Sequence, residues 1–351
     1  MIQNISKRLD AWAKFLDAES DKNFMFILSV DTDPGRPWPY PENIEARIDW
    51  AARAYDFYME RAQWLDDDYV PALMPYTGTE IFAQAFGSPV HYPGNNMPFA
   101  LPAIRGASGV STLKRPNISE GILGDVFEIA ERLRNRTDPG AIIQLPDIQS
   151  PLDIASLIWE KENFLLSFID EPNAVHELIF MVEELLAEFL DHWFERFGTE
   201  YIAHYPHYPM RGGYTFSEDE VGEFSQKMFE EFSLPSINRL SKRYGGCGMH
   251  CCAHSRHLWD GFNKIEGLRL INLGQPIAIL KQSASFFGRS MCHFPHQSLD
   301  NQPQSRPIPE WTAAYDRDAH LVLQVNARDE DEARAFASQL REYTQAYTKR
   351  M

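Results

Sequence analysis

No apolar run in the 351 residues approaches the ~18 that a membrane-spanning helix needs. The first stretch, MIQNISKRLDAWAKFLDAES, carries charges throughout instead of a signal-peptide core. Positive charge is in short supply: 33 Lys and Arg against 50 Asp and Glu leave a net charge of -17. Phosphate or anionic-membrane binding needs clustered Lys and Arg, so neither nucleic acid nor a membrane is expected as a partner. Cysteine is scarce as well. Of the four, Cys247, Cys251 and Cys252 crowd into one short stretch. A disulfide framework would spread them, so reduced thiols and a cytoplasmic setting are expected. There is no Gly-rich nucleotide loop, Walker lysine or serine nucleophile elbow, which argues against nicotinamide- and ATP-dependent chemistry. What remains is ordinary globular material, 44% hydrophobic and 24% charged, enough to bury a full core.

Helical patterns alternate with short apolar runs. Val175, Leu178, Ile179, Val182, Leu185, Leu186, Phe189, Leu190 and Trp193 recur at helical spacing, predicting a helix over 173–197 that stops at Gly198. The capping-box spacing of Ser217 and Glu220 predicts a second, running to Gly245-Gly246 with a kink at Pro235. A third is expected over 329–347. Strand candidates are 69–74, 141–145, 201–204, 248–252, 268–273 and 321–325. Such alternation implies parallel β/α units and favours a (β/α)8 TIM barrel over 61–351, with residues 1–60 as an added N-terminal helical extension. Two Pro-rich stretches, 88–117 and 283–309, lack a clean period and are expected as surface loops or walls of the mouth.

MHCCAH, Met249 to His254, is the sharpest chemical signal. On a strand, the period of two places His250 and Cys252 on one face and Cys251 on the other. His and Cys at that spacing reach one Zn²⁺, but a catalytic zinc takes three protein ligands and an open position. Cys292, His293, His296, His254, His204 and His207 are the candidates for the third. Against this stands the simpler possibility that the cysteines are small buried hydrophobes and His250 a satisfied core histidine. HYPHYP, His204 to Pro209, leads into Met210-Arg211-Gly212-Gly213-Tyr214 and suits either a substrate-facing loop or a prolyl turn. Asp66-Asp67-Asp68 and Glu218-Asp219-Glu220 are acidic clusters, the second explicable as helix-start acids. Arg36, with Asp31 and Asp33, lies in a Pro/Gly turn where a polar substrate could bind.

Taken in order, several segments resemble the uroporphyrinogen decarboxylase superfamily, whose relatives include zinc-dependent corrinoid methyltransferases and the barrel of cobalamin-independent methionine synthase. They are Tyr76 to Glu80 leading to Ala85-Phe86-Gly87, Asp147 to Ile154, Ser217 to Asp219, Phe229 to Pro235, and the strand end at His250-Cys251-Cys252. The resemblance runs from about Asp68 to Tyr347 and implies a barrel with its site at the strand C-termini. True decarboxylases have an Arg-rich segment where this chain reads Asp33-Pro34-Gly35-Arg36-Pro37-Trp38. Their substrate-binding Asp has only loose counterparts in Asp66 to Asp68, their tyrosine falls on Leu157, and their last-strand histidine on Gln324-Val325-Asn326-Ala327. The methyltransferase branch, with H-x-C and a distant Cys, fits His250 and Cys252. Its distant Cys normally ends the last strand, and Cys292 lies one β/α unit earlier.

The expectation is a zinc-assisted methyl or alkyl transferase acting on a thiol or corrinoid-linked substrate. His250, Cys252 and Cys292 would be ligands, Asp219 and Tyr214 catalytic groups, and Arg36, Asp68, His204, His207 and Arg211 substrate contacts. A corrinoid protein and a homodimer are the partners it suggests. The alternatives are a metal-free decarboxylase-like enzyme on another polycarboxylate, anchored by Arg36, Arg105 or Arg211, and a non-catalytic binding barrel.

Overall fold

The computed structural model describes residues 3–20, 24–30, 35–296 and 320–348. In chain order the strands are β1 (Phe24–Val30), β2 (Val90–His91), β3 (Phe99–Ala100), β4 (Ile143–Gln144), β5 (Glu200–Ile202), β6 (Pro209–Arg211), β7 (Tyr214–Ser217), β8 (Cys247–Cys251), β9 (Leu268–Leu273), β10 (Cys292–His293) and β11 (His320–Ala327). Six of them form a sheet in the order β1-β11-β10-β9-β8-β7, every pair parallel. β4, β5 and β6 form a second sheet, in which β6 runs antiparallel to β5. Isolated bridges link the two: Leu73 pairs with Ile143, and Gln149 with Ser217. The Asp68 amide donates to the Phe26 carbonyl at 2.8 Å, carrying the hydrogen bonding back to β1. The fold is the expected TIM barrel, with short joins where its ladders are broken.

Residues 1–60 are not simply a helical extension. FMFILSV of β1 pairs with β11 over seven residues and is buried almost throughout. A strand covered on both faces has no alternation to betray it, which is why the sequence hid it. The preceding helix, Gln3–Leu16, plugs the N-terminal end of the barrel. Trp12 donates its indole N–H to the Asp68 carbonyl at 2.7 Å, and Phe15 stacks on His320 with centroids 4.4 Å apart.

The acidic run after the next helix (Ile44–Trp64) is part of the same plug. Asp67 accepts the Leu28 amide and Asp68 the Phe26 amide, so two carboxylates satisfy β1 donors that have no strand partner there. Arg8 and Arg61 approach Asp67 at 3.2 and 3.7 Å, and Arg341 approaches Asp68 at 3.1 Å. Asp68 is therefore structural, at the end of the barrel away from the mouth, and not the expected substrate contact.

Pro172–Phe197 is the expected long helix, ended by Gly198 at φ +85°. Ser217 is not a helix cap. It ends β7, and its amide donates to the Ile148 carbonyl at 3.0 Å. The helix begins at Gln226 and passes through a π-helical segment, Phe229–Ser233, just before Pro235, where the missing N–H cannot continue the regular ladder. The stretch over 88–117 contains the β2–β3 hairpin and the 3-10 turn Ala107–Thr112. The stretch over 283–309 begins inside the helix Ile277–Phe287 and passes through β10, and from 297 onward it lies outside the described residues.

Candidate metal centre at the barrel mouth

Parallel register sorts the barrel interior into layers. Thr215, Gly248 and Leu270 share one level, and Leu270 pairs in turn with Cys292 and Cys292 with His320. Tyr208 fills this level. Its hydroxyl bonds Thr215 Oγ1 at 2.7 Å and lies 2.0 Å from where a Gly248 Cβ would stand, so only glycine fits there. Two residues further along, Ser217, His250 and Asn272 form the next level, at the mouth.

His250 is fixed from behind. Asn272 Nδ2 donates to the Phe294 carbonyl, which can only accept, so Asn272 Oδ1 must face His250 Nδ1 and take its proton. That assigns the tautomer and leaves Nε2 free, 3.0 Å from Cys252 Sγ. The shared face expected of His250 and Cys252 is thus present. Cys251 points the other way, its sulfur toward the Ala253 carbonyl. Gly274 completes the support. Its amide donates to the Cys251 carbonyl, and a Cβ there would sit 3.1 Å from Cys252 Sγ.

The third side chain that converges with His250 and Cys252 is His296; Cys292 does not join them. Donor atoms of His250, Cys252 and His296 lie within 4.8 Å of one another. Cys292 faces inward as required but occupies the Leu270 level, ~7 Å below the mouth at a strand rise of ~3.3 Å per residue. It is 1% exposed, and burial pushes its thiol well up. His296, four residues on, has cleared the strand end. Its amide donates to the Leu273 carbonyl at 3.2 Å and its Nδ1 contacts the Tyr205 hydroxyl. Tyr205 also packs edge-on against His250, centroids 4.4 Å apart. Burial raises the Tyr205 hydroxyl, with the nearby Cys252, Asp219 and Asp147 adding to it, so it stays a phenol, and it approaches both ring nitrogens of His296. Sequence reasoning passed over Tyr205 and Asn272, since neither residue type announces a role in supporting a ligand.

Asp219 belongs to the mouth as expected. One oxygen accepts the Cys252 amide at 2.5 Å, and the other stands 4.0 Å from His250 Nε2. Asp153, on the helix Pro151–Ile158, accepts the amides of Asp219 and Glu220 at 2.7 and 3.0 Å and so sets this turn. Burial pushes the Cys252 thiol up to about 11, with Asp219 adding to it.

A second group lines the same mouth. His204 Nδ1 lies 3.6 Å from Asp147 Oδ2, and the His204 and His207 rings are 6.4 Å apart. Burial lowers His204 to about 4 and His207 to about 3, with Arg36 contributing to both. Arg36 stands 4.4 Å over the Tyr76 ring. Arg36, His204 and His207 therefore lie near one another.

Tyr214 and Arg211 are not. Tyr214 pairs with Cys247 at the start of β8, ~10 Å below the mouth, and turns outward to Phe216 and Tyr244. Arg211 pairs with Glu200 at 2.7 Å on the antiparallel strand at the opposite end of the barrel. The first residue of a parallel barrel strand stands at the end opposite the C-terminal mouth, and Arg211, paired with Glu200 at the start of β5, shares that end.

Residues 70–292 match the model of the uroporphyrinogen decarboxylase (URO-D) family. The chain belongs to that family. Among solved structures, a methyltransferase from Methanosarcina mazei is similar in fold, with a TM-score of 0.66 at 14% identity, covering 96% of this chain and 99% of that one. Among curated proteins, none matches. The URO-D match ends at Cys292, four residues short of His296, so the third member of the cluster lies outside the matched span. No helix among the described residues is long and apolar enough to cross a membrane.

Proposed function

We propose that this URO-D barrel is a methyl or alkyl transferase that activates a thiol at a zinc ion held by His250, Cys252 and His296. The observation that carries it is the convergence of these donors within 4.8 Å at the mouth. Two nitrogens and a sulfur suit Zn²⁺ better than Mg²⁺ or Ca²⁺, which take oxygen ligands. The set also leaves a tetrahedral position for substrate. Bound there, zinc would lower the pKa of an incoming thiol and keep its sulfur nucleophilic. Asn272 holds the His250 lone pair on target, Asp219 fixes the Cys252 backbone, and Tyr205 orients His296. The M. mazei methyltransferase supports the reaction class. A corrinoid on a partner protein is the donor this reading suggests.

The decarboxylase-like alternative needs several cationic anchors at the mouth. Arg211 is at the other end of the barrel, and Asp147, Asp219 and Glu80 make the mouth region rich in carboxylates, which disfavours a polycarboxylate. Elemental analysis of protein purified without a metal-affinity tag tests the proposal. About one zinc per chain is expected, lost in Cys252→Ser and kept in Cys251→Ser. Equal loss in both, or no metal in the parent protein, would refute it.

A further inference from the structure

The β8 ladder ends at Cys251, paired with Leu273, so Cys252 stands one residue past it. The Cys252 amide donates to Asp219 Oδ1 instead. Asp219 is held in turn from its other side. Asp153 Oδ2 accepts the Asp219 amide at 2.7 Å, and Oδ1 accepts the Glu220 amide at 3.0 Å. Asp153 lies in the first turn of the helix Pro151–Ile158, where an acid ordinarily stabilises its own helix N-terminus. Here Ser150 Oγ already caps that helix by accepting the Asp153 amide at 3.0 Å. The carboxylate is spent on a segment 66 residues further along the chain. Asp153 is 1% exposed, so bulk solvent does not compete for either bond.

We propose that Asp153 is a positioning residue of the mouth, setting the Cys252 sulfur for a metal ion through the Asp219 turn; this rests on the metal-held thiol chemistry proposed above. Asp153 touches neither the sulfur nor its neighbours in the cluster. It acts along a chain of hydrogen bonds, from its own carboxylate to the Asp219 amide and from the Asp219 carboxylate to the Cys252 amide. Every link has a carboxylate as acceptor, and such bonds are short and directional. Changing Asp153 to asparagine turns one acceptor into a donor facing an N–H, so the turn has to shift. Cys252 moves with it, because its amide follows Asp219. His250 is held separately, by the β8–β9 ladder and by Asn272, so the loss falls on the sulfur and spares the imidazole.

The test loads the full chain with Co²⁺ and reads its affinity against a chromophoric chelator and its sulfur-to-cobalt absorption. Asp153→Asn should bind cobalt about 10-fold more weakly than wild type, with a weaker sulfur band per bound cobalt. A merely structural role would lower the urea midpoint and leave both readings unchanged, and that result overturns the proposal. In an Asp219→Ala background the link to Cys252 is already cut, so adding Asp153→Asn should cost less than about 2-fold. Equal losses in the two backgrounds overturn the proposal as well. A third reading needs no variant. Coupling is reciprocal, so loading the wild-type chain should slow hydrogen exchange at the Asp219 and Glu220 amides by about 10-fold. Unchanged exchange there overturns the proposal even where Asp153→Asn fails to fold. A wild-type chain that takes up no cobalt, or takes it up without a sulfur band, overturns the metal-held thiol chemistry along with it.

Discussion

Asn272→Leu is the sharpest probe of the site, because Asn272 touches no substrate-accessible surface. It is 1% exposed and joins three strand ends through its side chain: His250 after β8's midpoint, itself on β9, and the Phe294 carbonyl past β10. Leucine is similar in volume but can neither accept nor donate. Two buried groups, His250 Nδ1–H and the Phe294 carbonyl, are left without a partner, each costing about 1–3 kcal/mol. Removing the group that orients a ligating imidazole costs roughly 10–100-fold in metal affinity, or about 1.4–2.8 kcal/mol. Zinc competition with a chromophoric chelator, beside a urea melt of the metal-free protein, reads both numbers. Asn272→Asp separates them, since a carboxylate still accepts from His250 but cannot donate to Phe294, so metal affinity should recover more than stability does. Wild-type zinc affinity in Asn272→Leu would refute the assignment of His250 Nε2 as the donor atom.

Asp67→Ala removes the counter-charge of Arg8 and Arg61, both buried, and should destabilise the fold by about 3–5 kcal/mol in a urea melt without changing zinc affinity; a loss under 1 kcal/mol would mean the plug is not held by this pair. Glu218 is pushed up to about 7 by burial, with the Ser150 and Ser233 hydroxyls opposing and Asp219 adding. The folded state therefore holds a proton there that the unfolded chain releases near 4.5, and stability falls as pH rises between those values. Glu218→Gln keeps an oxygen for Ser233 and removes that loss, so its melting temperature relative to wild type should be higher at pH 8 than at pH 5. The same difference at both values would show that Glu218 is ordinary.

The sequence made the barrel readable where helices and half-buried strands carry a period. It was readable at the site where His250 lies on β8 and Cys252 stands just past its end. His250 and Cys252 are two residues apart on one chain, and the period of two alone puts them on one face. Cys292 was a reasonable third choice by chemistry, but its depth depends on the β9–β10 register, which is set by pairing between strands and leaves no local mark. His296 was among the candidates, yet nothing local distinguished it from His293, which turns outward to Phe287. The misplacements of Tyr214, Arg211 and Asp68 share a cause. Tyr214 opens β7, Arg211 ends the antiparallel β6 and Asp68 precedes the segment at Leu73, all away from the mouth, and composition does not say which end of a barrel a residue occupies.

That asymmetry explains why this site is assembled as it is. Residues following a strand emerge at the mouth one after another, so a ligand, its support and its neighbour can be supplied by successive strand ends without long reach. Asp147 follows β4, His204 and Tyr205 follow β5, Asp219 follows β7, Cys252 follows β8, and His296 follows β10. Only His250 and Asn272 lie within strands, and they are the pair whose hydrogen bond fixes a tautomer. Rigid strand positions hold the element that must not turn, while the other side chains gathered at the mouth stand on the segments just beyond, where a shift of a few tenths of an ångström is cheap.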